Sequence, residues 1–269
     1  MILIAGHYCH DVLLTADGKE TRTLGGSAAY GAAILDAFGE PYAVAAKVGA
    51  DFRYAELLTH PPRIVPGRST SFVDDYRGDE RREWVEALCE PLLPADLPEG
   101  RFAVGIAFGV AGEVPPPVLV RMRELCGVLV ADAQSLMREI DASGEVYLRP
   151  PDPLALARLD WLKASRKEAA YLNLDELRQR MGVIVTDGPR GCTLLTANGG
   201  AHVPAAPASE VEPTGAGDCF LAGFVLGLAR GKAPDEAARL GAWCGARAIE
   251  HVGVPRLTAA EVSQFLAGS

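Results

Sequence analysis

Residues 212–224 read Glu-Pro-Thr-Gly-Ala-Gly-Asp-Cys-Phe-Leu-Ala-Gly-Phe, two glycines and an acid directly ahead of an apolar helical pattern. Phe220, Leu221, Phe224, Val225 and Leu228 recur at i, i+1, i+4, i+5 and i+8, the spacing of one helix face, and Gly231 is a stop signal. The glycines therefore fall at a helix N-terminus. Free N–H groups and the positive end of the helix dipole attract an anion there. Gly215 and Gly217 carry no side chain, so a phosphate can approach the backbone around Ala216 closely. Asp218 follows in the first turn. A carboxylate beside a bound phosphate is repelled unless it has a task, such as accepting the proton of an attacking hydroxyl. On composition alone, a tight turn in which Asp218 only complements the dipole reads equally well.

The elements that must position this turn alternate along the chain. Apolar runs at 2–6, 42–48, 102–108, 127–133, 161–164, 182–186 and 192–197 predict strands. Helical patterns at 27–38, 115–125, 174–181, 216–229, 235–250 and 259–266 lie between them. Strands that are apolar throughout are expected where both faces of a sheet are covered. The pattern predicts an α/β protein, a mostly parallel sheet between helical layers. Two polar segments, 8–24 and 68–88, break the alternation, with turn-like Ala16-Asp17-Gly18 and Arg77-Gly78-Asp79. Each reads as a β-hairpin. The two either pair into a flap or are unrelated excursions.

The chain has 269 residues, 49% of them hydrophobic and 23% charged, which excludes a disordered chain and a coiled coil. A formal net charge of −9 argues against nucleic acid or an acidic membrane as partner. Cys9, Cys89, Cys126, Cys192, Cys219 and Cys244 are scattered without metal or disulfide spacing. With no signal-peptide pattern and no bilayer-length apolar run, a cytoplasmic protein of a reducing compartment is expected. His7, Cys9, His10 and Asp11 invite a metal site. Strand alternation splits them between two faces, so they read better as pocket walls.

Pro-Thr-Gly-Ala-Gly-Asp-Cys-Phe at 213–220 resembles the C-terminal motif of the PfkB/ribokinase carbohydrate kinases, usually Asp-Thr-Gly-Ala-Gly-Asp-x-Phe. The resemblance runs through nearly the whole chain. Gly25-Gly26 matches the family's N-terminal di-glycine, and Asp11 its substrate-binding aspartate. Lys47-Val48-Gly49-Ala50-Asp51-Phe52 is similar to the segment after its second main strand. Thr186-Asp187-Gly188-Pro189-Arg190-Gly191 resembles its nucleotide-binding Thr-x-Gly-x-x-Gly loop.

The resemblance implies a ribokinase-like, Rossmann-type three-layer sandwich spanning 1–269 as one domain, with a small β-lid formed by insertions at about 8–24 and 68–88. It implies ATP-dependent, Mg²⁺-assisted phosphorylation of a sugar or polyol hydroxyl. Asp218 would be the general base, and the Gly215, Ala216 and Gly217 amides the anion hole. Asp11, Gly25, Gly26 and Tyr30 would hold the acceptor. Lys163, Thr186, Gly188, Gly191, Gly215 and Gly217 would hold ATP, and Glu168 would serve magnesium through water. It leaves open a monovalent-cation requirement and whether the chain is a monomer or a homodimer through the lid.

Two departures matter. Ser165 stands where the family's Asn-x-x-Glu motif has asparagine, and Tyr30 where the series after the di-glycine often has a sugar-binding asparagine. Tyr30 is either a packed helix residue or the wall of a differently shaped polyol pocket. Of Lys163, Arg166 and Lys167 at least one reads as part of a solvated basic loop, and with Arg190 these cations would offset the acidic background near ATP. The run Gly6-His7-Tyr8-Cys9-His10-Asp11, the aromatic at 30 and Lys163-Ala164-Ser165 resemble the myo-inositol kinase branch. Ribose, a fructose derivative or a nucleoside are the alternative acceptors. A catalytically weak sugar- or nucleotide-binding sensor on the same fold is the first rival. A dinucleotide-dependent oxidoreductase is the second, weakened because no Gly-x-Gly-x-x-Gly follows the first strand.

Overall fold

A computed structural model describes residues 1–78 and 82–267. Asp79 of the expected turn, and Glu80 and Arg81 of the polar segment 68–88, lie outside the described residues. An eight-stranded sheet runs, edge to edge, Gly199–Val203, Cys192–Thr196, Gly182–Thr186, Trp161–Ser165, Cys126–Asp132, Phe102–Ala107, Ile2–Ala5 and Tyr42–Ala45. Pairing is parallel except at the first two junctions, which are antiparallel. The apolar strands divide their side chains between two cores, as period-2 geometry demands. Ile2 and Ile4 join the core under helices Ser27–Ala37, Ala216–Ala229 and Pro234–Ala248, whereas Leu3 and Ala5 join the core under Pro116–Leu125. Both faces are covered. Among the described residues, no helix is long and apolar enough to cross a membrane.

The two polar segments form hairpins, and the hairpins pair. Cys9–Leu14 pairs antiparallel with Glu20–Gly25, and Ser71–Asp75 with Arg82–Ala87. Cys9–Leu14 and Ser71–Asp75 then pair in parallel, giving a four-stranded lid. Its register aligns Asp11 with Phe72, Phe72 with Val85, and Asp74 with Glu83. Alternation along each strand puts all five residues on one face of the lid.

Four segments depart from the expected pattern. The run 42–48 is not one strand: Tyr42–Ala45 stays in the main sheet, and Lys47–Gly49 peels away to pair with Arg63–Val65. At the break Lys47 is buried, with its ammonium 2.8 Å from both Glu90 and Asp96. The helix expected over 174–181 is helical only at Leu174–Leu177. A hairpin of Arg138–Ile140 with Val146–Leu148, and the edge strand Gly199–Val203, were not foreseen. Both are short and mixed in polarity, without the continuous apolar run that marked the central strands.

The helix Ala216–Ala229 has the bounds its apolar period predicts. It packs closely on Pro234–Ala248 through small residues. A Cβ on Gly241 would lie 2.6 Å from the Phe220 carbonyl oxygen, and one on Gly223 would lie 2.7 Å from Cys244 Sγ. That contact fixes the axis, and therefore the N-terminus, of the helix carrying Asp218. Gly241→Val is expected to lower stability by about 1–3 kcal/mol through overpacking, measured as a fall in the urea midpoint at unchanged slope.

Candidate active site

Gly215 is the N-cap of the Ala216–Ala229 helix, with φ of +77° in the left-handed region. A side chain there is excluded twice. The backbone disfavours it, and a Cβ would fall 2.1 Å from ring carbons of Tyr30. The first N–H groups of a helix have no intrahelical acceptor, and Ala216 N–H makes only a long turn contact, 3.4 Å, to Pro213 O. The turn therefore presents donors outward, with Asp218 half-buried beside them.

These groups open into a cavity of about 180 Å³ at the carboxyl ends of the central strands. From the sequence-derived set, Asp11, Gly26, Tyr30, Lys163, Gly215, Gly217 and Asp218 line it together. Gly25 serves it from behind: a Cβ there would lie 1.8 Å from Asp11 Oδ2, so its missing side chain makes room for that carboxylate. Tyr30 is 2% exposed, packed in the core and also part of the cavity wall, so the two readings of it coincide.

Lys163 is not solvated. It is 5% exposed on the strand Trp161–Ser165, and its ammonium donates to Asp132 Oδ2 at 2.8 Å. A Cβ on Gly217 would come within 2.6 Å of Lys163 Nζ. The ammonium thus lies directly under the helix N-terminus, on the cavity side. Burial works against its charge, but Asp132, Glu168 and Asp218 outweigh that and hold its pKa above the ordinary lysine value. Burial pushes Asp132 up to about 7 despite Lys163. Asp218 is also raised, first by burial, with Lys163, a hydrogen bond from Ser27 and Arg138 pulling the other way. Gln134 supports that bond, its amide donating to Ser27 Oγ at 2.8 Å and to Asp218 Oδ1 at 3.4 Å.

Thr186, Gly188 and Gly191 do not reach this cavity. They form the turn between Gly182–Thr186 and Cys192–Thr196, and Thr186 stands in register with Ser165 on the neighbouring strand. Ser165 and Glu168 make a reciprocal helix cap. Ser165 Oγ accepts from Glu168 N–H at 3.3 Å, and Glu168 Oε2 accepts from Ser165 N–H at 2.6 Å. Serine at the asparagine position thus has a structural task. Arg166 and Arg190 are exposed and both pair with Asp187, at 2.9 and 2.7 Å, drawing its pKa down to about 2. Lys167 is exposed.

Among the described residues, no three His, Cys, Asp or Glu side chains converge as metal ligands. With one Glu168 oxygen already engaged, the carboxylates fit a magnesium ion that keeps its own waters. The 7–11 group disperses: His7 bonds Glu90 O and Lys47 N, His10 stacks on Phe52, and Asp11 turns to the cavity.

Sequence reading missed Ser27, Phe72, Asp74, Glu83, Gln134 and Arg138 in the cavity lining. The lid register is the signal that finds Phe72, Asp74 and Glu83, once Asp11 is assigned to the inner face. Arg138 joins through a two-pronged pair with Glu83, 2.8 and 3.4 Å, from a hairpin without a periodic signature.

Residues 149–258 match the pfkB family carbohydrate kinases. The inositol 3-kinase of Zea mays is 42% identical over 94% of this chain and 73% of its own length. That of Oryza sativa subsp. japonica is 45% identical over 94% and 69%. A solved pyrophosphate-dependent kinase in the ribokinase family, complexed with a pyrophosphate analog and myo-inositol, superposes with a TM-score of 0.84. It covers 98% of this chain and 99% of its own at 21% identity, a likeness of fold.

Removing one partner of a buried ion pair strands the other charge. Asp132→Asn is therefore expected to cost about 3–5 kcal/mol, read by urea denaturation at neutral pH.

Proposed function

This chain belongs to the pfkB family of carbohydrate kinases and is a phosphotransferase, and from that premise we propose that it transfers the terminal phosphoryl group of ATP to a hydroxyl of myo-inositol. The observation that carries the reading is the lid-covered cavity in which Asp218 and the 215–217 turn face Asp11 and Asp74. Asp11 and Asp74 are 5% and 2% exposed, and carboxylates at that depth suit a ligand rich in hydroxyl donors. Phe72 and Val110 supply an apolar wall for a ring's C–H face. The cavity, about 180 Å³, is small beside the roughly 300–1,000 Å³ of pockets for drug-sized ligands, which suits a single-ring acceptor. The identity to plant inositol 3-kinases supports the same acceptor.

Asp218, oriented by Ser27, accepts the proton of the attacking hydroxyl, and its raised pKa makes it a stronger base. The N-terminal amides of the helix and the Lys163 ammonium face the oxygens on which charge develops. Burial beneath the lid keeps water from competing for the phosphoryl group. Thr186, Gly188 and Gly191 would border ATP from the turn that follows the strand paired with Trp161–Ser165. Glu168 would hold magnesium through water, and bound magnesium supplies neutralising charge to the phosphates. A monovalent cation would fit at Glu212, whose Oε2 is buried without a hydrogen-bond partner among the described residues; there it supplies balancing charge to the turn.

The deciding assay presents myo-inositol, ribose, fructose and nucleosides with ATP or pyrophosphate as donor, and identifies the phosphorylated hydroxyl by NMR. Turnover of myo-inositol with ATP supports the reading. Turnover of another acceptor overturns the substrate, and acceptor binding without turnover on the whole panel points to a sensor. Asp218→Asn is expected to lower kcat by about 10²–10⁴-fold while ATP affinity by calorimetry is kept; a rate above a tenth of wild type refutes the base. The base must be ionised to act, so kcat/KM falls as pH falls through its pKa. Because that pKa is raised, the acid limb of the pH profile is expected above the ordinary carboxylate value of 3.8.

A further inference from the structure

Cavity, fold and family leave one contact unused, and it joins parts of the chain 138 residues apart. Tyr76 follows the lid strand Ser71–Asp75, and its hydroxyl lies 2.9 Å from Thr214 Oγ1 and 3.3 Å from Glu212 Oε1. The same Glu212 oxygen accepts Thr214 N–H at 2.8 Å. With the phenol donating to the carboxylate, its oxygen is left to accept the Thr214 hydroxyl proton. Tyr76, Thr214 and Glu212 thus close a ring of hydrogen bonds around the residue that immediately precedes Gly215. Tyr76 is tied in turn to the other lid hairpin, its N–H donating to Leu14 O at 2.8 Å. The outer lid strand is fastened separately, Glu83 to Arg138 and Val85 N–H to Gly144 O at 2.8 Å. Of these fastenings, the Tyr76 contact lands on the turn that presents the anion-hole amides.

We propose that Tyr76 is a positioning residue that sets the 213–215 turn through Thr214 and Glu212, so that the amides take their working geometry only with the lid down. Lifting of the lid would separate Tyr76 from Thr214 and loosen the turn. Closure over the acceptor restores the ring and completes the anion hole. Phosphoryl transfer is thereby coupled to acceptor occupancy, and unproductive transfer to water through an open lid is suppressed. This inference rests on the kinase reading for its consequence, but not for its geometry.

Tyr76→Phe keeps the ring and removes the hydroxyl. It is expected to lower kcat about tenfold, the size of one lost hydrogen bond, while acceptor KM stays within twofold and Tm nearly unchanged. Thr214→Val should lose a similar factor, and the double variant no more than the larger single loss, since both remove one shared interaction. Arg77→Ala, which breaks only the exposed pair with Asp75, should match wild type. Amide hydrogen exchange at 214–218 supplies a readout without turnover and is expected to quicken at least fivefold in Tyr76→Phe. Unchanged exchange in the turn, wild-type kcat in Tyr76→Phe, or losses that multiply in the double variant would each overturn the coupling. If wild type phosphorylates nothing while exchange still quickens, the kinase reading falls and the coupling stands.

Discussion

A lysine ammonium buried beneath the positive end of a helix is the constraint on which the site depends. Lys163 and the first turn of Ala216–Ala229 repel each other, and burial adds several kcal/mol of lost hydration. The arrangement holds because Asp132, Glu168 and Asp218 surround the ammonium. The nearest of them is delivered by the sheet itself, for Asp132 and Lys163 are register partners on adjacent parallel strands. A one-residue slip would turn both side chains to opposite cores. Gly217 follows from the same constraint, because any side chain there would meet the ammonium.

This local arrangement explains how an acidic protein can handle a more acidic ligand. The net charge of −9 spread over the surface would repel a polyphosphate at long range. Inside the cavity the balance is different: Lys163, Arg138 and the helix N-terminus share the lining with Asp11 and Asp74. Buried carboxylates suit hydroxyl donors, and an ammonium with a helix N-terminus suits phosphate. Arg166 and Arg190 contribute less than their charge suggests, since both are already paired with Asp187.

The lid completes this lining. Its inner face carries Asp11, Phe72, Asp74 and Glu83, set there by the register of three strands drawn from two hairpins. It meets the body at Arg138 on one side and at Thr214 and Glu212 on the other. In a water-excluded space the hydrogen bonds that orient Asp218 gain strength. A small lid fastened at its margins therefore sets the polar environment of the cavity as well as covering it.

Local pattern alone placed the turn ahead of the Ala216–Ala229 helix. Glycines before an apolar 3.6-residue period can mark little but a helix start, and the helix begins at Ala216. Continuous apolar runs announced the covered sheet, and turn-flanked polar segments announced both hairpins, because backbone geometry imposes those periods on neighbouring residues. The pairing of the hairpins was left open by the same patterns, and Ser165 stood only as a departure from the family's asparagine until the fold showed its capping role. Lys163 read as partly solvated because nothing nearby in sequence reveals a partner 31 residues away. Arg138 opposite Glu83 and Tyr76 opposite Thr214 lie 55 and 138 residues apart. Such contacts leave no period in the chain, because they depend on how whole elements pack. The sequence by itself therefore determined where a helix would start with free backbone N–H groups and which carboxylate stood beside them. Only the tertiary structure decided what neutralises that site and what closes over it, since charge balance and closure are made by residues that meet only when the sheet and lid have formed.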